Sequence, residues 1–305
     1  AMAKIDCGRL SDHRIPSLPH SNNRNRMNRL LLSLLLLVSK AIAFAPPPRL
    51  AFRSVVVLSS SSAETTVASK TLDDLKSDLV QACQRSPKAS LEEIRTLVNE
   101  VEGMGEQMGI GQASATSGLL SGDWELLWSP EDVTRSSPFF WAFRKAFPDN
   151  ADQIFGITDS IPAPIKEVGP AFQTIDLNDQ TAKGQFVSRV KVATLGGMAT
   201  SIMTTRASIT GIVGLDGLEL EVESTKPEDS TIVKTLFGEA LGAVVNENAP
   251  PFPSGEALEQ IQPGSSTVVM RNTFVDEGLR ISRNEEKFQE VYVWRRREFA
   301  SFDYL

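Results

Sequence analysis

The sequence predicts a mainly β protein. It reads as a closed antiparallel barrel of about eight strands, with a helical hairpin before it and one or two inserted helices. Three observations predict this. Between residues 118 and 298, short apolar/polar alternations recur, bounded by Gly, Asn, Asp or Pro turn signals, as half-buried strands require. The last three, within Thr267–Arg297, are joined by turns too tight for a crossover and so form an antiparallel meander. No strand–helix–strand alternation occurs, which argues against a parallel sheet.

Residues 1–63 read as an address. Residues 1–26 are basic and without periodicity, and Met27 is the expected start. Asn28 and Arg29 precede an apolar run, Leu30–Val38, and Ala41-Ile42-Ala43 forms a small-residue cleavage site, so a signal peptide is expected at about 27–43. The run is short for a membrane span and Lys40 ends it. Residues 44–63 contain Arg49, Arg53 and the Ser59–Ser62 run, with no acid before Glu64, the composition of a transit segment. The junction A-I-A-F-A-P at 41–46 resembles the bipartite presequence of algae with secondary plastids. That resemblance implies delivery through the secretory route into a plastid.

Taking off the 9 basic and 2 acidic residues of 1–63 leaves 22 basic against 36 acidic, a net charge of −14. That balance argues against nucleic-acid binding, which needs a basic footprint. Both histidines, His13 and His20, lie in 1–63, so residues 64–305 hold no histidine and one cysteine, Cys83. A Ser-His-Asp or Cys-His site cannot be assembled, and a zinc site lacks its usual ligands.

Residues 64–117 read as a helical hairpin and linker. Thr71 is an N-cap, and Leu72, Leu75, Leu79 and Cys83 share a face. Pro87 separates this helix from a second, which opens with a capping box at Ser90–Glu93 and carries Leu91, Ile94, Leu97, Val98 and Val101. Gly103–Gly118 reads as a linker. Its G-M-G and G-I-G lack the spacing and preceding strand of a dinucleotide fingerprint.

The β domain, 118–298, opens with Gly122-Asp123-Trp124, where Trp124, Leu126 and Trp128 share one strand face and Glu125 and Leu127 the other. Ser136–Pro148 is an aromatic helix with Pro138 at its first position. Its side chains Phe139, Phe140, Trp141 and Phe143 lie beside Arg144 and Lys145. This composition fits a plug in the barrel mouth or an interfacial helix on a membrane, with Arg295–Arg297 adding cations. Further strands are expected at 165–177 (bent at Gly169-Pro170), 185–194, 201–213 and 218–223. Asp176–Asp179 is a turn, and Glu219, Glu221 and Glu223 form a solvated strand face. Ser230–Val245 reads as one helix and Asn246–Pro263 as a loop. In the meander, Val268, Met270 and Phe274 share a face. Asp276-Glu277-Gly278 turns the chain, and Leu279 and Ile281 oppose Arg280 and Ser282. Residues 299–305 are a tail.

Two of these motifs carry a resemblance. Gly122, Trp124, Leu126 or Leu127, Trp128 and Ser129 fit the first-strand pattern of the plastid lipid-associated proteins, or plastid fibrillins. Asp276, Leu279, Arg280, Ile281 and Arg283 fit the family's closing Asp, Leu-Arg-Ile-x-Arg signature. The resemblance implies a lipocalin-like barrel and a non-enzymatic lipid- or isoprenoid-binding function at thylakoids or plastoglobules. It also implies that Gly122, Trp124, Leu127, Trp128, Asp276, Leu279, Arg280, Ile281 and Arg283 form the signature or ligand-contact set. For Asp276 the residues themselves also allow a turn cap, paired with Arg280 or Arg283. A bound lipid, carotenoid or quinone is the expected guest, with no metal or other cofactor. Two other functions stay open. One is an assembly factor or subunit of a photosynthetic complex; the other is a barrel enzyme acting on a carotenoid or quinone, with Asp276 or Glu125 as acid and base.

Overall fold

A computed structural model of the chain describes residues 70–162, 165–178, 180–194 and 196–298. The signal peptide and transit segment expected in 1–63, and the tail at 299–305, lie outside the described residues.

The hairpin comes first, α1 (Leu72–Gln84) and α2 (Leu91–Met108). Thr71 caps α1 with a reciprocal capping box, its hydroxyl accepting from the Asp74 amide. Ser90 accepts from the Glu93 amide, but the Glu93 carboxylate pairs with Arg85 at 2.7 Å instead of closing the box. Then come β1 (Gly122–Trp128), α3 (Pro138–Ala146), α4 (Ala151–Asp159), β2 (Lys166–Asn178), β3 (Lys183–Thr194), β4 (Ala199–Val213) and β5 (Gly217–Glu228). Next are α5 (Thr231–Phe237), α6 (Glu239–Asn248), α7 (Ser254–Ile261), β6 (Thr267–Val275), β7 (Leu279–Asn284) and β8 (Val291–Arg297). Each strand pairs antiparallel with the next, and β8 returns to β1, so eight strands close an up-and-down barrel without an edge.

The alternation read in β5 holds. Leu218, Leu220 and Val222 are buried in the interior cluster, while Glu219, Glu221 and Glu223 face outward. The bend at Gly169-Pro170 is a register shift between Val168 and Ala171. Two other bulges overturn expected faces, since one extra residue sends the later side chains of a strand to the opposite side. A shift between Leu126 and Trp128 separates Trp124, inside, from Trp128, outside. A shift between Asn272 and Phe274 sends Phe274 outward, away from Val268 and Met270.

Outside the barrel these side chains meet the hairpin. Leu79, Ile94, Val98 and Val101 are fully buried with Trp128, Phe274, Leu279, Ile281, Val291 and Val293 in a second core. Burial of each such aliphatic contributes about 1.5–3 kcal/mol, enough to hold the hairpin as a brace. Cys83 lies in this core, where burial pushes its thiol pKa up to about 12, leaving it inert.

The first part of the expected linker is helix. α2 runs through Gly103 and Gly105 to Met108, and Gly109 ends it in the left-handed conformation (φ 67°). A Cβ on Gly105 would lie 2.9 Å from the Phe274 ring and 2.8 Å from the Ile110 carbonyl oxygen. Gly105 therefore seats Phe274. The helix expected at 230–245 is two, broken at Gly238 (φ 78°), and the expected loop after it contains α7. Five helices, α3–α7, are thus inserted between strands, against one or two expected.

Two substitutions in one turn of α2 should separate these roles. Gly103 has open space around it, so Gly103→Ala should raise the unfolding free energy by about 0.5–1 kcal/mol. Gly105→Val should lower it by about 1–3 kcal/mol through overpacking against Phe274. Urea unfolding measures both, and shifts of the same sign would contradict the seat.

Candidate functional site in the barrel interior

Strand direction alternates around the barrel, so its two ends differ in construction. One end collects the connections β1–β2, β3–β4, β5–β6 and β7–β8, including all five inserted helices. This is the lid end. The other, the base, collects the β2–β3, β4–β5 and β6–β7 turns and the approach to β1.

At the base, Arg296 is the lock. Its guanidinium donates to the Ser121 carbonyl at 2.8 Å, the Glu277 carbonyl at 2.7 Å and the Leu119 carbonyl, and lies 4.2 Å from the centre of the Trp124 ring. Gly122 sits at φ 133°, and a Cβ there would strike the Arg296 guanidinium. This gives the Gly-x-Trp motif its physical reason. Trp124 is fully buried, with its indole N–H donating to the Leu120 carbonyl at 2.9 Å.

At the lid end, the aromatic helix turns inward. Trp141 is buried, donates to the Arg135 carbonyl at 2.6 Å and packs against Tyr292 at 5.8 Å between ring centres. Phe143 is buried against Phe147 and Phe155. Ser137 spends its hydroxyl on Thr205 at 3.1 Å. Arg144 is buried and faces three carboxylates, Glu131 at 2.7 Å, Asp152 at 3.1 Å and Glu290 at 3.6 Å. Lys145 donates to the Thr267 carbonyl at 2.9 Å, and Phe139 and Phe140 are half-buried against the interior cluster. The apolar face of this helix thus meets the barrel, and its cations already have partners. Arg295 and Arg297 are likewise held, by Glu125 at 2.8 and 2.6 Å.

Between the two ends lies a polar belt. Trp124, Gln173, Ser188, Thr205 and Thr225 stand opposite one another in register across five neighbouring strands, all buried and on one face. Arg280 joins this belt from β7. It is fully buried, with its guanidinium 5.1 Å from the Trp124 ring centre and 4.7 Å from that of Trp294. It donates to Gln173 Oε1 and, at 3.9 Å, to Met270 Sδ. Gln173 is itself fixed by donating to the Ser136 carbonyl at 2.9 Å. Burial first, and the Arg296 charge second, hold the Arg280 pKa well below the ordinary arginine value.

The other signature residues serve the frame. Asp276 Oδ1 accepts from the Gly278 and Leu279 amides at 2.8 and 2.7 Å, and its carboxylate pairs with Lys76 at 2.6 Å, not with Arg280 or Arg283. Arg283 pairs with Glu102 at 3.0 Å. Leu127, Trp128, Leu279 and Ile281 pack under the hairpin. Glu125 stays a paired anion. Burial works to raise its pKa, but Arg295 and Arg297 hold it below the usual carboxylate range. Of the expected signature residues, Trp124 and Arg280 are the two that meet inside. Gln173, Ser188, Asn272, Ser282 and Trp294 belong to no motif that sequence reasoning singles out. For the four polar ones the only signal is a polar residue breaking an apolar strand face, as Gln173 does between Ala171 and Ile175.

Among the described residues no helix is long and apolar enough to cross a membrane, and no three His, Cys, Asp or Glu side chains group to hold a metal ion.

Gly122→Ala should cost about 1–3 kcal/mol in urea unfolding, because it strains the backbone and displaces Arg296. An unchanged midpoint would contradict the lock.

No curated protein and no solved structure matches the chain. The PAP_fibrillin family profile matches residues 67–291, from just before the hairpin to the start of β8, the span that holds the polar belt, both signatures and most of the base. The chain belongs to the PAP_fibrillin family, the plastid lipid-associated proteins.

Proposed function

We propose that this plastid lipid-associated protein is a non-enzymatic carrier, which holds one lipid or isoprenoid in its barrel and works at the surface of thylakoids or plastoglobules. In this reading residues 1–63 are removed during import. The family supports the lipid and plastid parts. One observation carries the rest: the exposed apolar side chains are concentrated at one end of the barrel.

Of fourteen large apolar side chains exposed among the described residues, eleven belong to lid-end connections. α5 and α6 present Leu236 (73% exposed), Phe237, Leu241 and Val244, and the β3–β4 turn adds Met198 (77% exposed). Thr231 ties this turn to α5, accepting from the Thr200 amide at 2.8 Å. A contiguous apolar patch exposed at one end marks a contact surface. Lys234, the cation within α5, is already paired with Asp229 and Glu239. Attraction to anionic headgroups is therefore weak, and apolar insertion dominates. A lid that touches the bilayer gives an apolar guest a path that avoids water. These residues replace the 139–145 helix as the proposed membrane contact.

Liposome flotation of the full chain tests this. Each apolar side chain buried in the bilayer contributes about 1.5–3 kcal/mol, so the double variant Leu236→Ser, Leu241→Ser should lower partitioning at least tenfold. Added salt should leave wild-type flotation unchanged. Wild-type flotation by the double variant would refute membrane contact through α5 and α6.

A further inference from the structure

The charge of Arg280 has no counterpart. A guanidinium does not deprotonate in proteins, and a charge buried without a partner is strongly unfavourable. Among the described residues no carboxylate pairs with Arg280, while the other buried arginines Arg135, Arg144 and Arg283 each have one. The rings of Trp124 and Trp294 offset part of the cost. Gln173 supplies one oxygen acceptor, and the second partner is a thioether, a weak one. The Nε–H has no acceptor.

Arg280 is not alone. Ser188 Oγ, opposite Gln173 in the belt, and Asn272 Oδ1, opposite Ser282 on the neighbouring strand, are also buried without a hydrogen-bond partner among the described residues. Buried polar groups in folded proteins are nearly always satisfied. Two of these atoms, the Arg280 Nε–H and the Ser188 hydroxyl, are donors on one interior surface, one of them on an uncompensated cation, and they describe a receptor for an anionic oxygen group; Asn272 Oδ1 is an acceptor and takes no part in it. Water could fill the hydrogen bonds, but it brings no counter-charge. A quinone or xanthophyll oxygen has the same limitation.

Resting on the reading that the barrel takes a guest, we infer that the guest is an acidic amphiphile whose carboxylate is held by Arg280, with Ser188 as a second donor. The apolar chain then runs toward the lid end along the inward faces of β5 and β6, past Leu220, Val222, Val268 and Met270. A carboxylate fits because two oxygens can take Nε–H and an Nη–H side by side. Gln173, anchored to the Ser136 carbonyl, holds the guanidinium in place. The acid enters ionised and no bond is made or broken.

The delipidated full chain should be titrated with cis-parinaric acid, a fluorescent eighteen-carbon acid, with its methyl ester, and with a neutral prenylquinone. The acid should saturate near one equivalent, and the ester should bind at least tenfold more weakly. Arg280→Met, which keeps the volume and removes the charge, should bring acid and ester to equal affinity. Ser188→Ala should narrow the gap by a smaller factor. If Arg280→Met does not fold, the acid-to-ester ratio of the wild-type chain decides alone. Equal binding of acid and ester, or binding of the quinone alone, overturns the inference while the carrier reading stands. If none of the three binds, the carrier reading falls and the inference falls with it.

Discussion

Two guanidinium groups, Arg280 and Arg296, lie on the ring of Trp124, and the rest of the barrel is arranged around that contact. Trp124 comes from β1, Arg280 from β7 and Arg296 from β8, so the contact joins the strands that close the ring. Arg296 uses its remaining N–H groups on backbone carbonyls at the base, which would otherwise be left without donors. That geometry requires glycine at 122. It also brings together in space the two signatures that stand at opposite ends of the β domain in the chain. Arg280 has no such outlet. The same ring that supports it also lies against a second cation, and among the described residues no carboxylate offsets the Arg280 charge.

The hairpin makes this interior charge possible. A barrel wall ordinarily has one wet face, and its strands then read apolar-in, polar-out. β7 is buried along its whole length on both faces, because α1 and α2 cover the outside. Leu279 and Ile281 satisfy the outer core, leaving the inward positions to Arg280 and Ser282. The inward face of β7 is therefore its polar one.

This explains what was legible in the sequence. Strand positions in β3, β5, β6 and β7 followed from period two, and the helix starts at Thr71, Ser90 and Pro138 from cap chemistry. The side to which each residue points did not follow wherever a bulge intervened, as at Trp128 and Phe274, because one inserted residue inverts the face without changing composition. Arg280 stood out by its motif, but alternation alone could not say that an arginine faces inward. Gly105 read as linker because a seat for a ring and a flexible joint use the same residue. The exposed apolar face of α5 and α6 was legible only as a helix, since Leu236 and Leu241 have helical spacing whatever covers them.

The molecule is thus polarised along the barrel axis. The base is sealed by Arg296 and Trp124, an unpaired cation sits above it, and the lid end carries α3 as a plug and α5–α6 as an apolar surface. Native mass spectrometry of the mature protein, taken from the plastid without detergent extraction, tests this account most directly. The expected result is a folded species heavier than the chain by one acidic lipid, released on denaturation and identified in the extract. A folded species with the mass of the bare chain, or one carrying only neutral guests, would contradict it.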